Sequence, residues 1–368
     1  MKNHFKNVTI ENFKSIKKLD FDCKRVNIFL GEPNVGKSNI LEALSLFSAP
    51  LGLSNKKGGK PIDHYSFAWD QIRYKNLKNL FFFQDVSKPI NVITDKGQVQ
   101  LSVSSFLDSY NFIIGSKQTL RNEINTILSD PKVFFESSTP DSTPNFVTQM
   151  RGDGIINFNQ SLSSIIFSYQ GFVKKYAFNE TYFKEELEHN KFQQYLLPSY
   201  GSNIFTIVQG NHELADLVAG FFEKYNLEFI FIHEQSEYVI QRKQGRIGYQ
   251  LPYDSIADTL QRIIFHLAAI YSNKDSVILF EEPESHSFPD YIQLLATKII
   301  ESESNQFFIT THSPYLVQKL LQGLDYNELA VNVAGYKDHQ TVMKQIEPDE
   351  IDKMIDRGSD IFFNLPQF

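Results

Sequence analysis

The 368-residue chain has one cysteine, Cys23, and one tryptophan. A lone thiol excludes an intramolecular disulfide and a multi-cysteine metal site, and it suits a reducing cytoplasm. No stretch approaches the roughly 18 uninterrupted apolar residues of a membrane span. The N-terminal Met1–Lys6 leads straight into an alternating pattern with no apolar signal region behind it. A cytoplasmic protein with no membrane contact is therefore expected. Positive charge is also short: 36 Lys and Arg stand against 43 Asp and Glu, for a net charge of -7. A dedicated nucleic-acid binder is more often basic, so nucleic acid as a partner gains no support from the charge balance. The local clusters Lys14, Lys17, Lys18 and Lys56, Lys57, Lys60 could form basic patches that leave nucleic acid possible as a partner, though the acidic total favours solvated surface charge. Neither an internal repeat nor a sustained heptad register is present, which excludes a long coiled coil.

What the chain does have is 42% hydrophobic residues, among them 33 Phe. That is enough for a sizeable core in one large domain or two closely joined ones. Residues 5–13 alternate as a strand, 19–22 suggest a second, and Arg25–Leu30 are β-rich. Helical spacing follows from Asn39 to Phe47, with Ile40, Leu41, Leu44 and Phe47 on one face. Residues 51–65, rich in Gly, Lys and Ser, read as a loop, and 79–104 as strands with a hairpin turn at Asp95-Lys96-Gly97. Helices are expected near 116–130, 180–196 and 212–225, with a surface loop at Ser137–Pro144. From Asp254 onward the pattern is clear: helix 255–272, strand 276–280, helix 289–303, strand 306–310, helix. Buried apolar strands alternating with helices indicate a largely parallel α/β sheet.

Three segments carry chemistry. The first is Gly31-Glu32-Pro33-Asn34-Val35-Gly36-Lys37-Ser38, followed by Asn39, between a strand and a helix. This is a P-loop: its glycines let backbone N–H groups converge on phosphate, Lys37 reaches the β- and γ-phosphates, and Ser38 can ligate Mg²⁺. The second is Phe280-Glu281-Glu282-Pro283-Glu284, at the end of an apolar strand. Glu281 would hold Mg²⁺ and Glu282 would orient or deprotonate the attacking water. The third is Thr310-Thr311-His312-Ser313-Pro314, again at a strand end, where His312 could hydrogen-bond a γ-phosphate. The ligands expected are thus ATP and Mg²⁺, and Lys37, Glu282 and His312 the catalytic set.

The order of these segments resembles the ABC-type ATPase heads of the RecF, SMC and OLD class, and within it the AAA-15/AAA-21-type bacterial ATPases. Ile10-Glu11-Asn12-Phe13-Lys14-Ser15-Ile16 is similar to their opening strand, Glu281–His286 to their Walker B and D-loop, and Thr310–Pro314 to their switch histidine. The resemblance is strong over 1–50 and 250–320. It implies an α/β P-loop NTPase head with a mixed β-sheet, built from 1–105 and 235–368, and an inserted, mainly helical subdomain over 106–234. It further implies a head-to-tail homodimer or higher oligomer that gates a separate effector, a nuclease or toxin, in antiphage defence. A RecF-like DNA-repair ATPase and a nucleotide-gated scaffold with little turnover are the alternatives. Two positions depart from the family pattern. The signature stretch Ser255–Arg262 contains no glycine, and Phe288 stands where a second histidine is common. The resemblance also implies a glutamine contact to Mg²⁺, for which Gln84 is the candidate. The stretch after Pro314 is too short for the Toprim nuclease fold that OLD nucleases carry, roughly a hundred residues or more, so no nuclease is expected in this chain. The acids Glu347, Asp349, Glu350, Asp352 and Asp356 read as a solvated helical face, with Pro348 suited to its first turn.

Overall fold

The computed structural model describes residues 3–48, 53–57, 60–67, 72–103, 109–115, 146–151, 155–156, 172–179, 194–235, 237–356 and 362. In chain order the elements are β1 (Asn7–Phe13), β2 (Ile16–Asp22), β3 (Val26–Leu30), α1 (Lys37–Ser45), β4 (Leu53–Lys57), β5 (Lys60–Phe67), β6 (Ile90–Thr94), β7 (Gln98–Val103), β8 (Ser109–Gly115), β9 (Phe146–Arg151), β10 (Ile155–Ile156), β11 (Val173–Tyr176), α2 (Ile204–Gly210), α3 (His212–Glu223), β12 (Glu228–Ile232), β13 (Glu237–Gln244), β14 (Ile247–Pro252), α4 (Asp258–Ser272), β15 (Val277–Glu281), α5 (Pro289–Glu301), β16 (Gln306–Thr310), α6 (Pro314–Gly323), β17 (Leu329–Lys337), β18 (Gln340–Gln345) and α7 (Pro348–Asp356).

A six-stranded sheet, ordered β11-β15-β16-β3-β17-β18, forms the centre. Its neighbours run parallel except for the β17–β18 hairpin. The apolar runs that announced these strands are divided between two cores. Val26, Ile28 and Leu30 of β3, Ile278 and Phe280 of β15, and Phe307 and Ile309 of β16 face the core that holds the buried sides of α2 to α6. Phe29, Val277, Leu279 and Phe308 face the other core, with α1 and the first antiparallel strands. A strand covered on both faces loses its alternation and reads as a continuous apolar run.

A nine-stranded sheet, ordered β2-β1-β6-β7-β8-β9-β10-β5-β4, lies beyond α1, and β12-β13-β14 form a third sheet. Helix α1 is therefore sandwiched, and Ile40, Leu41, Ala43, Leu44 and even Glu42 are fully buried, rather than one stripe of an amphipathic helix.

Several expectations change. Residues 53–57 and 60–67 form an antiparallel pair and not a loop, with Leu53 opposite Phe67 and Lys57 opposite Lys60. Leu-Ser-Asn-Lys-Lys has no apolar alternation, so period two gave no signal there. Leu77–Leu80 and Phe82–Gln84 are 3-10 turns instead of strand, with Phe83 at φ 48° and Gln84 at φ 59°. Within 106–234 the described residues hold β8 to β12 as well as α2 and α3, and β11 pairs in parallel with β15 as the edge of the central sheet. The helices expected at 116–130 and, apart from 194–196, at 180–196 lie outside the described residues, as does the loop at Ser137–Pro144.

Candidate functional site

The P-loop leaves the C-terminal end of β3 and its conformation depends on two glycines. Gly31 has φ 141°, and a Cβ there would lie 2.3 Å from the Ala334 carbonyl oxygen on β17. Gly36 has φ 100°, and a Cβ there would lie 2.1 Å from Thr341 Oγ1. Both contacts are impossible for any other residue, so the loop closes against the β17–β18 hairpin only with glycine. Gly36 is also the N-cap of α1 and supplies no side-chain cap to its first-turn N–H groups. Those donors, with the positive end of the helix dipole, face the cavity.

Lys37 is buried at 6% exposure, and its Nζ donates to the carbonyls of Gly31 (2.8 Å) and Glu32 (2.7 Å). Burial lowers its pKa, and the Glu282 carboxylate opposes that shift. The loop is braced from the β1–β2 turn: Ser15 Oγ and Thr341 Oγ1 share a hydrogen bond of 2.6 Å, Asn39 Nδ2 donates to Ser15 Oγ, and Thr341 Oγ1 donates to the Val35 carbonyl.

The acidic segment leaves β15 two strands away. Glu281 ends that strand, and its carboxylate faces the Ser38 hydroxyl on α1. Its Oε1 lies 3.1 Å from Arg73 Nη2 and its Oε2 lies 3.1 Å from Lys175 Nζ. Burial works against its charge, but Lys175, Ser38 and Arg73 together hold it below the ordinary carboxylate range. Glu282 is in the left-handed region at φ 45°, fixed by its N–H donating to the Thr310 carbonyl at 2.9 Å. That turn swings its side chain, 44% exposed, toward His312, whose Nε2 is 3.4 Å from Glu282 Oε1. The His312 pKa is lowered by burial and by the Lys37 charge, with Glu282 opposing.

Ser15, Pro33, Asn34, Gly36, Lys37, Ser38, Asn39, Arg73, Glu281, Glu282 and His312 thus line one cavity of about 730 Å³, joined by Phe178, Arg262, His266 and Tyr336. Three of the predicted nucleotide contacts shape the loop instead of lining the cavity. Gly31 packs on β17, Glu32 offers its carbonyl to Lys37, and Val35 is buried. Gln84 is exposed on its 3-10 turn and does not line the cavity.

Sequence reasoning missed four contributors. Arg73 joins Glu281 to the fully buried Glu42 of α1, at 2.9 Å from Glu42 Oε1, and Lys14 also pairs with Glu42. Lys175 is a buried lysine in a strand, and the Lys-Lys pair inside Val173–Tyr176 was the available signal. Glu284 is buried, and its Oε1 accepts from Thr311 Oγ1 (2.5 Å) and the His312 N–H (2.8 Å), tying the acidic loop to the histidine loop. Arg262, in the glycine-free stretch, salt-bridges Asp258 at 2.7 Å and stacks over Phe178.

His266 lies deepest in the wall, its ring edge-on to Phe265 and Phe280. Burial drives its pKa from 6.5 down to about 4. As pH falls, the unfolded chain takes up this proton first. Stability should therefore hold above pH 6.5 and be lost progressively down to about pH 4, by up to about 3 kcal/mol. Denaturant midpoints across that range check this, and His266→Gln should flatten the slope.

A nucleotide-shaped loop on a parallel sheet, with carboxylates and a histidine from the next two strands converging on it, defines a P-loop ATPase with an α/β head. Residues 26–318 match the AAA_21 family, described as "AAA domain, putative AbiEii toxin, Type IV TA system", and the chain belongs to that family. It is 21% identical to an ATP/GTP phosphatase of Helicobacter pylori (strain ATCC 700392 / 26695), over 93% of this chain and 92% of that protein. It is 23% identical to the endonuclease GajA of Bacillus cereus (strain VD045), over 86% of this chain and 56% of that one. Among solved structures it is similar in fold to an SMC head bound to the C-winged helix domain of ScpA. That similarity has a TM-score of 0.50, 13% identity, and covers 95% of this chain and 99% of the other. Among the described residues no helix is long and apolar enough to cross a membrane.

Proposed function

We propose that this ATPase is a cytoplasmic switch in which hydrolysis at the site above alters the packing of two heads and so gates a separate effector in antiphage defence. The observation that carries it is the convergence of Lys37, Glu281, Glu282 and His312, from three distant segments, on one cavity. The toxin–antitoxin description of the family, the endonuclease relative and the resemblance to OLD-type ATPases support the defence role.

The loop N–H groups, the α1 N-terminus and Lys37 bind the phosphates. Glu282 orients a water and takes its proton as the water oxygen bonds to the γ-phosphorus. The bond from that phosphorus to the β–γ bridging oxygen breaks, leaving ADP and phosphate. His312, beside Glu282, donates to a γ-phosphate oxygen. The facing Ser38 hydroxyl and Glu281 carboxylate fit a Mg²⁺ ion, which needs few protein ligands beside phosphates and waters. Once bound, Mg²⁺ neutralises charge on the β- and γ-phosphate oxygens. Glu282 and His312 stay partly open to solvent in one copy, at 44% and 39% exposure. A second copy seated on that face would exclude water and strengthen the site's electrostatics, which supports the dimer.

ATP turnover of the wild type, alone and with candidate partners, against Lys37→Ala tests the reading. It fails if the two are equal. Light scattering of Glu282→Gln with saturating ATP should show a dimer, and a monomer there would remove the two-head mechanism.

A further inference from the structure

The direction of the phosphate chain follows from the strand order. Glu281, Glu282 and His312 come from β15 and β16, on one side of the P-loop strand β3. If hydrolysis occurs there, the γ-phosphate points toward that side. Ribose and base must then leave on the other side of β3, where β17 is the parallel neighbour.

β17 reaches the loop closely. Val333 pairs with Leu30, and the Ala334 carbonyl abuts Gly31. Two residues on, and on the same strand face, is Tyr336. It pairs across the hairpin with Thr341, whose hydroxyl bonds the Val35 carbonyl and Ser15. Tyr336 therefore stands one strand pair from the residue that braces the P-loop, and it lines the same cavity.

Its ring is 51% exposed. Among the described residues no ring contact, cation or hydrogen bond engages its side chain. A second aromatic in the cavity, Phe178, follows β11 at the opposite end, and one face of it is covered by the Arg262 guanidinium at 4.7 Å. An open aromatic face at the end where a base must leave matches the chemistry of a purine, whose flat π surface loses water on stacking.

We propose that Tyr336 is the base-stacking residue of this site, and that it holds adenine and guanine nucleoside triphosphates to a similar degree. Stacking is tolerant of base identity because every base presents a π face. The inference rests on the nucleotide reading under Proposed function, and the test separates the two.

Affinities for ATP, GTP and inorganic tripolyphosphate, which has the phosphates and no base, are measured for the wild type, Tyr336→Ala and Tyr336→Phe. Tyr336→Ala should weaken ATP and GTP alike by about tenfold or more. Tyr336→Phe should stay near the wild type, and tripolyphosphate should bind all three proteins equally. The proposal is overturned if Tyr336→Ala binds both nucleotides as the wild type does, if it loses tripolyphosphate in proportion, or if only one nucleotide is affected. A wild type that binds none of the three probes overturns the nucleotide reading, and this inference with it.

Discussion

Glu282→Gln is expected to lower ATP turnover by about 10²–10⁴-fold while leaving ATP affinity within a few-fold of the wild type. Three carboxylates stand within four residues, and their surroundings sort them. Glu281 is held ionised below the usual range by Lys175, Ser38 and Arg73, against the effect of burial. A carboxylate so well stabilised is a poor proton acceptor and a good cation ligand. Glu284 is buried, and burial raises its pKa. One of its oxygens is committed to Thr311 and to the His312 N–H, so its work is to hold the histidine loop. Of the two that line the cavity, Glu282 is the more exposed, with His312 at 3.4 Å and the Ser285 hydroxyl at 3.4 Å. Glutamine keeps its volume and hydrogen bonding but cannot take a proton. Stability should barely change, because the side chain is 44% exposed. Single-turnover hydrolysis with equilibrium binding measures both halves. A drop of less than threefold in rate would move the base to another residue.

The chemical segments were legible because each is local: eight residues for the P-loop, and two short strand ends for the acids and the histidine. Their meeting was legible only through the alternation of apolar strands and helices from Asp254 onward. What stayed hidden depends on contacts across the fold. Arg73 lies in a stretch without regular elements, and its importance comes from reaching Glu42 and Glu281 at once. Lys175 is in an edge strand that only the parallel pairing with β15 places beside the Glu281 carboxylate. Tyr336 is in a strand read as no element at all, and the steric fit of Gly31 on Ala334 brings that strand to the loop. The misassigned Gln84 shows the same limit from the other side. A polar residue at an apparent strand end is common, and the left-handed turns at Phe83 and Gln84 carry that segment away from the cavity.

The network around Glu281 also ties α1 to the edge of the central sheet. Glu42, Arg73, Glu281 and Lys175 alternate in charge from α1 to β11. Arg73 is 69% exposed while Glu42 is fully buried, so the guanidinium is the solvent-facing member of the set. If Ser38 and Glu281 held Mg²⁺, its charge would weaken the Arg73–Glu281 pair, while the pair of Arg73 Nε with Glu42 would remain.

Lys37→Met is expected to weaken nucleotide binding by about 30-fold or more without weakening the fold. The ammonium is buried and its hydrogen bonds go to two carbonyls, Gly31 at 2.8 Å and Glu32 at 2.7 Å. These are dipoles and not a countercharge, and Glu282 is the acid that opposes the burial-driven fall in its pKa. A buried cation so placed contributes little to stability, and an apolar side chain of similar length in its position is neutral or stabilising. The phosphates provide the missing anion, and losing a buried, hydrogen-bonded charge partner costs about 2–5 kcal/mol of affinity. That is a weakening of about 30- to 4,000-fold. A thermal melt reads both consequences. Without nucleotide, the variant should unfold at or slightly above the wild-type temperature. With ATP at 100 times the wild-type Kd, the wild type should gain about 2.7 kcal/mol through linkage, and the variant about 0.9 kcal/mol or less. A variant that melts lower without nucleotide, or that keeps the full wild-type ATP-induced shift, would contradict the reading of Lys37 as a phosphate ligand held ready by the loop.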